Sequence, residues 1–176
     1  MSPAEPLDAH QLMTLFNGEF AVSDKTELIG GAAEPYYTPG SPHRIYFRAD
    51  YVRSGLHEVA HWCVAGRRRR QVPDYGYWYS PDGRDADQQH VFFAVEARPQ
   101  AIERCFCEAV GIPFSPSIDN VGAQIEPQQL RRFEARIQEW CDRFGRTGLP
   151  PRAARFVTAL RPMTPLTADP VPDIAA

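Results

Sequence analysis

Leu56-His57-Glu58-Val59-Ala60-His61-Trp62 is the stretch around which the rest of the chain can be read. Positions four apart on an α-helix lie one above the other on the same face, so a helix here stacks the imidazoles of His57 and His61 where both can grip one divalent ion. Glu58 then projects about 100° further round the circumference, beside that ion. These are the mechanics of the His-Glu-x-x-His pattern, in which the carboxylate handles protons for a metal-bound water or steadies a ligand from behind. The flanking residues favour a helix in their own right: Val52, Leu56, Val59, Ala60, Cys63 and Val64 recur at three- and four-residue steps and define one apolar face. Asp50 is placed to cap its start and Gly66 to stop it, with Arg67 to Arg70 where the helix dipole favours cations. Two histidines make a poor site by themselves, so a third protein ligand must come from elsewhere.

Composition sets the frame for that search. At 176 residues, 43% hydrophobic and 23% charged, the chain can bury a substantial core but is short for two independent units. One domain over 1–176 is expected, with an ordered core from about 8 to 160 and a Pro-rich tail over 161–176. A formal charge of −3 argues against general nucleic-acid binding, and no apolar run approaches membrane-spanning length. The first ten residues are acidic and lack the basic start and apolar middle of a signal peptide, so a cytoplasmic protein is expected. Cys63, Cys105, Cys107 and Cys141 form no Cys-x-x-Cys pair and read as small buried apolar residues in a reducing compartment.

Taken in order, Asp8 with Leu12, Leu15, Phe16 and Phe20 predicts a capped amphipathic helix. Gly and Pro punctuation from Thr26 to Pro42 predicts short extended pieces and turns, and Arg44 to Arg48 a strand leading into the His57 helix. Asp74-Tyr75-Gly76-Tyr77-Trp78-Tyr79 has the aromatic density of a strand, followed by a turn over Ser80 to Asp85. So many aromatics cannot all face inward from a strand, so one face is expected to line a cleft or a partner surface. Tyr77, Tyr79, Asp82 and Arg84 are the candidate substrate contacts in this block. Asp87 to Val110 is helical in pattern, with Pro99 expected to kink or restart it and Gly111 to end it. Glu96, Gln100 and Glu103 share one face of that helix, and Glu96 is the leading candidate for the third ligand, against the plain alternative of a solvated glutamate. A loop from Ile112 to Ile125, a packing helix from Glu126 to Phe144 and a short helix from Arg152 to Leu160 complete an α+β chain. It is mostly helical with a small sheet, around a zincin-like metal-binding helix.

Three blocks carry a resemblance: His57 to Gly66, Asp74 to Asp85 with its Gly-Tyr-Trp-Tyr and Pro-Asp-Gly-Arg, and Val95-Glu96-Ala97-Arg98-Pro99-Gln100-Ala101. With them the chain resembles the elongation factor P hydroxylase family of bacterial proteins, from about Leu12 to Leu160. The resemblance implies an enzyme that hydroxylates a lysine of elongation factor P after β-lysyl extension. It also implies a 2-His-1-carboxylate centre at His57, His61 and Glu96, with iron(II) the expected metal and zinc the alternative. Phe93 and Arg98 depart from the family pattern, where Glu and Lys are expected. Glu58 is then the catalytic acid/base or a carboxylate that orients a ligand. The ligand set by itself fits other chemistry. A zinc peptidase with Glu58 as general base uses the same groups. A non-catalytic binding protein stapled by metal would close the fourth position with His90 or Asp85. The Arg67–Arg70 run suits either an acidic partner protein or a solvated helix end.

Overall fold

The computed structural model describes residues 7–77, 84–118 and 125–161. The expected Pro-rich tail, and Tyr79 and Asp82, lie outside the described residues. The chain runs α1 (Ala9–Phe20), β1 (Thr26–Ala32), β2 (Tyr36–Thr38), β3 (His43–Arg48), α2 (Val52–Val64), α3 (Ala86–Val110), α4 (Pro127–Thr147) and α5 (Pro151–Leu160). Two 3-10 turns, Arg69–Gln71 and Pro73–Gly76, lie between α2 and α3. Mostly helical α+β architecture with a small sheet is therefore what the described residues show.

Local chemistry accounts for the elements. Asp8 opens α1 with a reciprocal cap, its side chain accepting from Gln11 N at 2.7 Å while the Gln11 side chain accepts from Asp8 N at 3.0 Å. The sheet has the order β1-β3-β2, with β3 parallel to β1 and antiparallel to β2. Along β3 the period of two sends Ile45 and Phe47 into the core and Arg44 and Arg48 outward. Phe47 fixes how closely α2 approaches the sheet. A Cβ on Gly30 would come within 2.8 Å of its ring, and one on Gly55 within 3.4 Å of the ring and 2.5 Å of Leu12. Glycine at both positions lets helix and strand close on one aromatic ring.

Beneath α2 lies the aromatic core. Trp62 meets Phe16 and Phe20 at centroid distances of 5.3 and 4.9 Å, and Phe156 of α5 closes the group at 5.6 Å from Phe16. All four rings are fully buried. The Arg152 guanidinium stacks 4.3 Å over Trp62 and donates to the carbonyls of Cys63 and Ala65 at 3.2 and 2.7 Å, groups left open at the end of α2. Arg70 donates to the Ala65 carbonyl as well, at 3.0 Å.

Four local expectations are corrected. Tyr51, not Asp50, is the N-cap of α2 and makes no side-chain cap bond. The helix stops at Val64, before Gly66, because Ala65 turns extended and arginines take its carbonyls. Where a strand was expected from Asp74, the described part is a 3-10 turn, with Asp74 and Tyr75 in left-handed backbone conformations at φ 47° and 57°. Pro99 does not start a new helix, since α3 runs through it from Ala86 to Val110. A buried proline removes one donor, and the packing of α3 against α2 and α4 outweighs that loss. Among the cysteines, Cys63 and Cys107 are buried, whereas Cys105 and Cys141 are half-exposed, and all four are free thiols. None of the described helices is long and apolar enough to cross a membrane.

The aromatic core yields a stability prediction. Phe16→Ala removes a ring in contact with three others and leaves a cavity beneath α2, so unfolding in urea should show a loss of about 3–5 kcal/mol. A loss below about 1 kcal/mol would show that the cluster does not hold α2 in place.

Candidate metal centre

Helical spacing on α2 places His57 and His61 one above the other, and the same spacing on α3 aligns Glu96, Gln100 and Glu103. The two faces meet. Nε2 of His57 lies 3.0 Å from Nε2 of His61, and Glu96 reaches both rings, Oε1 at 3.2 Å from His61 and Oε2 at 3.6 Å from His57. One donor atom from each residue lies within 4.8 Å of the others. Two donors each about 2.1 Å from a shared ion, at angles of about 90–120°, are themselves about 3.0–3.6 Å apart. The two imidazole nitrogens are separated by a distance in that range, and each lies within it of a different Glu96 oxygen, so the three residues suit a shared divalent ion.

The electrostatics are those of buried charges that depend on one another. Glu96 is 2% exposed. Burial opposes its ionisation, but His61 and then His57 outweigh it and bring the carboxyl to a pKa of about 2. Burial likewise works against a charge on His57. Its hydrogen bond with Glu103, and the charges of Glu103, Glu96 and Glu58, prevail and raise the ring to about 10.

Glu103 is the participant that sequence reasoning missed. It is 1% exposed, its Oε2 lies 2.8 Å from His57 Nδ1, and its Oε1 accepts from Arg53 Nη2 at 2.6 Å. Burial opposes its charge as well, yet the bonds to His57 and Arg53 hold its carboxyl below the ordinary range. The signal was available: Glu103 follows Glu96 by two turns, and Arg53 precedes His57 by one. Arg53 also donates to the Ser115 hydroxyl and carbonyl, both at 2.9 Å, and Gln100 exchanges bonds with Ser117 at 2.8 and 3.0 Å. The segment after α3 is thereby fastened to the same face.

Glu58 stands beside the donor group without contributing an atom to it. Burial, as the largest cause, raises its carboxyl above the usual range, partly offset by the two histidines. The left-handed turn at Asp74 and Tyr75 borders this side. Tyr75 is 4% exposed, stacks on Tyr37 at 4.2 Å, and its hydroxyl makes no hydrogen bond among the described residues. First burial and then the charge of Glu58 keep that phenol protonated. Tyr77 lies under the Arg69 guanidinium at 4.3 Å. Arg84 is turned inward, with Nη2 on the Ile118 carbonyl at 2.9 Å and its guanidinium 4.0 Å over Phe92. Asp85 caps α3 and His90 is exposed, and neither belongs to the donor group. Phe93 is buried and stacks on Phe133 at 4.4 Å, and Arg98 lies 5.2 Å from the Trp140 ring, so both departures from the family pattern pack against α4.

Comparison with known proteins then supplies a context for this geometry. The sequence profile of the family described as elongation factor P hydroxylase matches residues 15–167. A Haemophilus influenzae protein named elongation factor P lysine hydroxylase is 37% identical over 153 residues, an alignment spanning 85% of each chain.

The strained turn beside Glu58 can be tested by substitution. Asp74 combines a left-handed backbone with a side chain that accepts from Tyr37 N at 2.8 Å. Asparagine tolerates that backbone and keeps the acceptor, whereas alanine does neither. Thermal unfolding should show Asp74→Asn close to wild type and Asp74→Ala less stable by about 1–3 kcal/mol; equal losses would rule out this role for the side chain.

Proposed function

Because the chain belongs to the elongation factor P hydroxylase family, we propose that it hydroxylates the β-lysyl-extended lysine of elongation factor P at a metal centre held by His57, His61 and Glu96. The observation that carries this reading is the convergence of those three donors from α2 and α3. Two imidazoles and one carboxylate on one side of an ion leave the other side open, and iron(II) in such a site supplies dioxygen activation beside a substrate C–H bond. On this reading α2 serves as a zincin-like ligand helix that holds iron in place of zinc. The donor set alone also suits peptide hydrolysis, and the family membership favours hydroxylation.

The chain's own residues have distinct tasks in this reading. His57 and His61 would hold an ion through Nε2 in their neutral form, so protons would compete with metal at these rings. Glu96 supplies the charge that a divalent ion needs in a buried setting. Glu58, with its carboxyl raised by burial, can hold or give up a proton on the open side at a pH where an ordinary glutamate is already ionised. The protonated Tyr75 phenol next to it offers a donor. Tyr77, Tyr79, Asp82 and Arg84 remain the proposed contacts to the modified lysine, with Arg84 acting through the Ile118 segment that it holds. The cytoplasm, where translation takes place, is the proposed site of action.

Elongation factor P from cells lacking this protein, complemented with wild type, should gain the mass of one oxygen on the modified lysine, with iron co-purifying in the enzyme. Complementation with Glu96→Ala or His61→Ala should leave the factor unhydroxylated and the variant depleted of metal. Restored hydroxylation by Glu96→Ala would remove that carboxylate from the centre. Zinc in the wild type with cleavage of peptides would favour the hydrolase.

A further inference from the structure

We infer that Glu103, held by Arg53, is a positioning residue that orients the His57 ring so that Nδ1 carries a proton and Nε2 faces His61 and Glu96. The inference rests on the reading of His57, His61 and Glu96 as ligands, and adds to it the group that makes one of the three a competent donor.

Geometry carries the argument. A carboxylate accepts hydrogen bonds and cannot donate, so the 2.8 Å contact between Glu103 Oε2 and His57 Nδ1 requires the proton on Nδ1. Once that proton is placed, the lone pair of a neutral His57 lies on Nε2, the atom 3.0 Å from His61 Nε2. The ring cannot flip without breaking this bond. Glu103 in turn cannot swing away, because its second oxygen is held by Arg53 Nη2 at 2.6 Å. Arg53 is fixed by Ser115 through two further bonds of 2.9 Å and by the Phe114 ring, 5.4 Å below its guanidinium. A chain of contacts thus runs from the segment after α3 through Arg53 and Glu103 to one ring of the centre. The carboxylate contact of His61 is to Glu96 at Nε2, on the donor side, and among the described residues none is made at its Nδ1, so the two imidazoles are held differently. Carboxylates that orient ligating histidines in this way raise metal affinity by about 10–100-fold.

Metal binding and ring chemistry test this without recourse to turnover. Cobalt(II) titrated into metal-free protein, followed by calorimetry and by its visible absorption, should bind Glu103→Gln about 10–100-fold more weakly than wild type. Thermal unfolding of each variant serves as the check on folding. Arg53→Met, which frees Glu103 while leaving it in place, should fall between the two. In the zinc-loaded wild type, nitrogen-15 NMR should show His57 metallated through Nε2, with a downfield, slowly exchanging proton on Nδ1. That proton should move upfield and exchange faster in Glu103→Gln. A folded Glu103→Gln with wild-type cobalt affinity, or a wild-type His57 metallated through Nδ1, overturns the inference while leaving the ligand reading intact. A wild type that takes up no cobalt, or a His61→Ala variant that binds it equally well, overturns the ligand reading and this inference with it.

Discussion

Glu96 and Glu103 are carboxylates buried on one face of α3, and charge in such a place must be compensated where it stands. Compensation comes from α2, through His57, His61 and Arg53. That single requirement fixes the register of the two helices. A slide of α2 by one turn would move both imidazoles away from Glu96 and leave Glu103 facing the wrong partner. The aromatic core beneath α2 and the glycines that let Phe47 approach it hold the helix at that register from the opposite side. Packing and electrostatics therefore act on one element from two faces, and the donor group lies where they balance.

The parts of this arrangement that follow helical periodicity were readable in the sequence. His57 and His61 on one face, Glu96 with Gln100 and Glu103 on another, and the apolar rows of α1, α4 and α5 all follow from 3.6 residues per turn, which local residues determine. Glu96 could be singled out by its setting next to Pro99, although that proline does not interrupt the helix as expected. Glu103 stood in the same row and was passed over because its importance comes from Arg53, fifty positions away, a pairing that no local spacing reveals. The stretch from Asp74 misled for a different reason. Aromatic residues suit strands, but the described part is a left-handed turn stabilised by Asp74 on the Tyr37 backbone and by Tyr75 stacked on Tyr37. A tertiary partner decided the conformation there against the local preference. Helix ends behaved similarly, since the carbonyls of α2 are met by arginines from a neighbouring turn and from α5 and not by a glycine stop.

Hydroxylation of a C–H bond and hydrolysis of an amide can use the same three ligands, so geometry alone carries the chemistry only as far as a donor set for a divalent ion. Membership of the elongation factor P hydroxylase family supplies the rest. The surroundings are consistent with a reaction that needs proton control: a glutamate whose ionisation is disfavoured by burial, and near it a tyrosine hydroxyl with no partner among the described residues.

Arg152 closes the end of α2 from a position in the chain almost ninety residues later. A ribosome releases the histidine helix early, with Arg70 on the Ala65 carbonyl but the Cys63 carbonyl bare and Trp62 lacking the cation that covers it. Arg152 reaches the Cys63 carbonyl and covers Trp62 only when α5, the last of the described helices, has emerged from the exit tunnel. The finished centre is thus a product of the complete chain, and a nascent chain arrested before α5 lacks the clasp that secures its ligand helix.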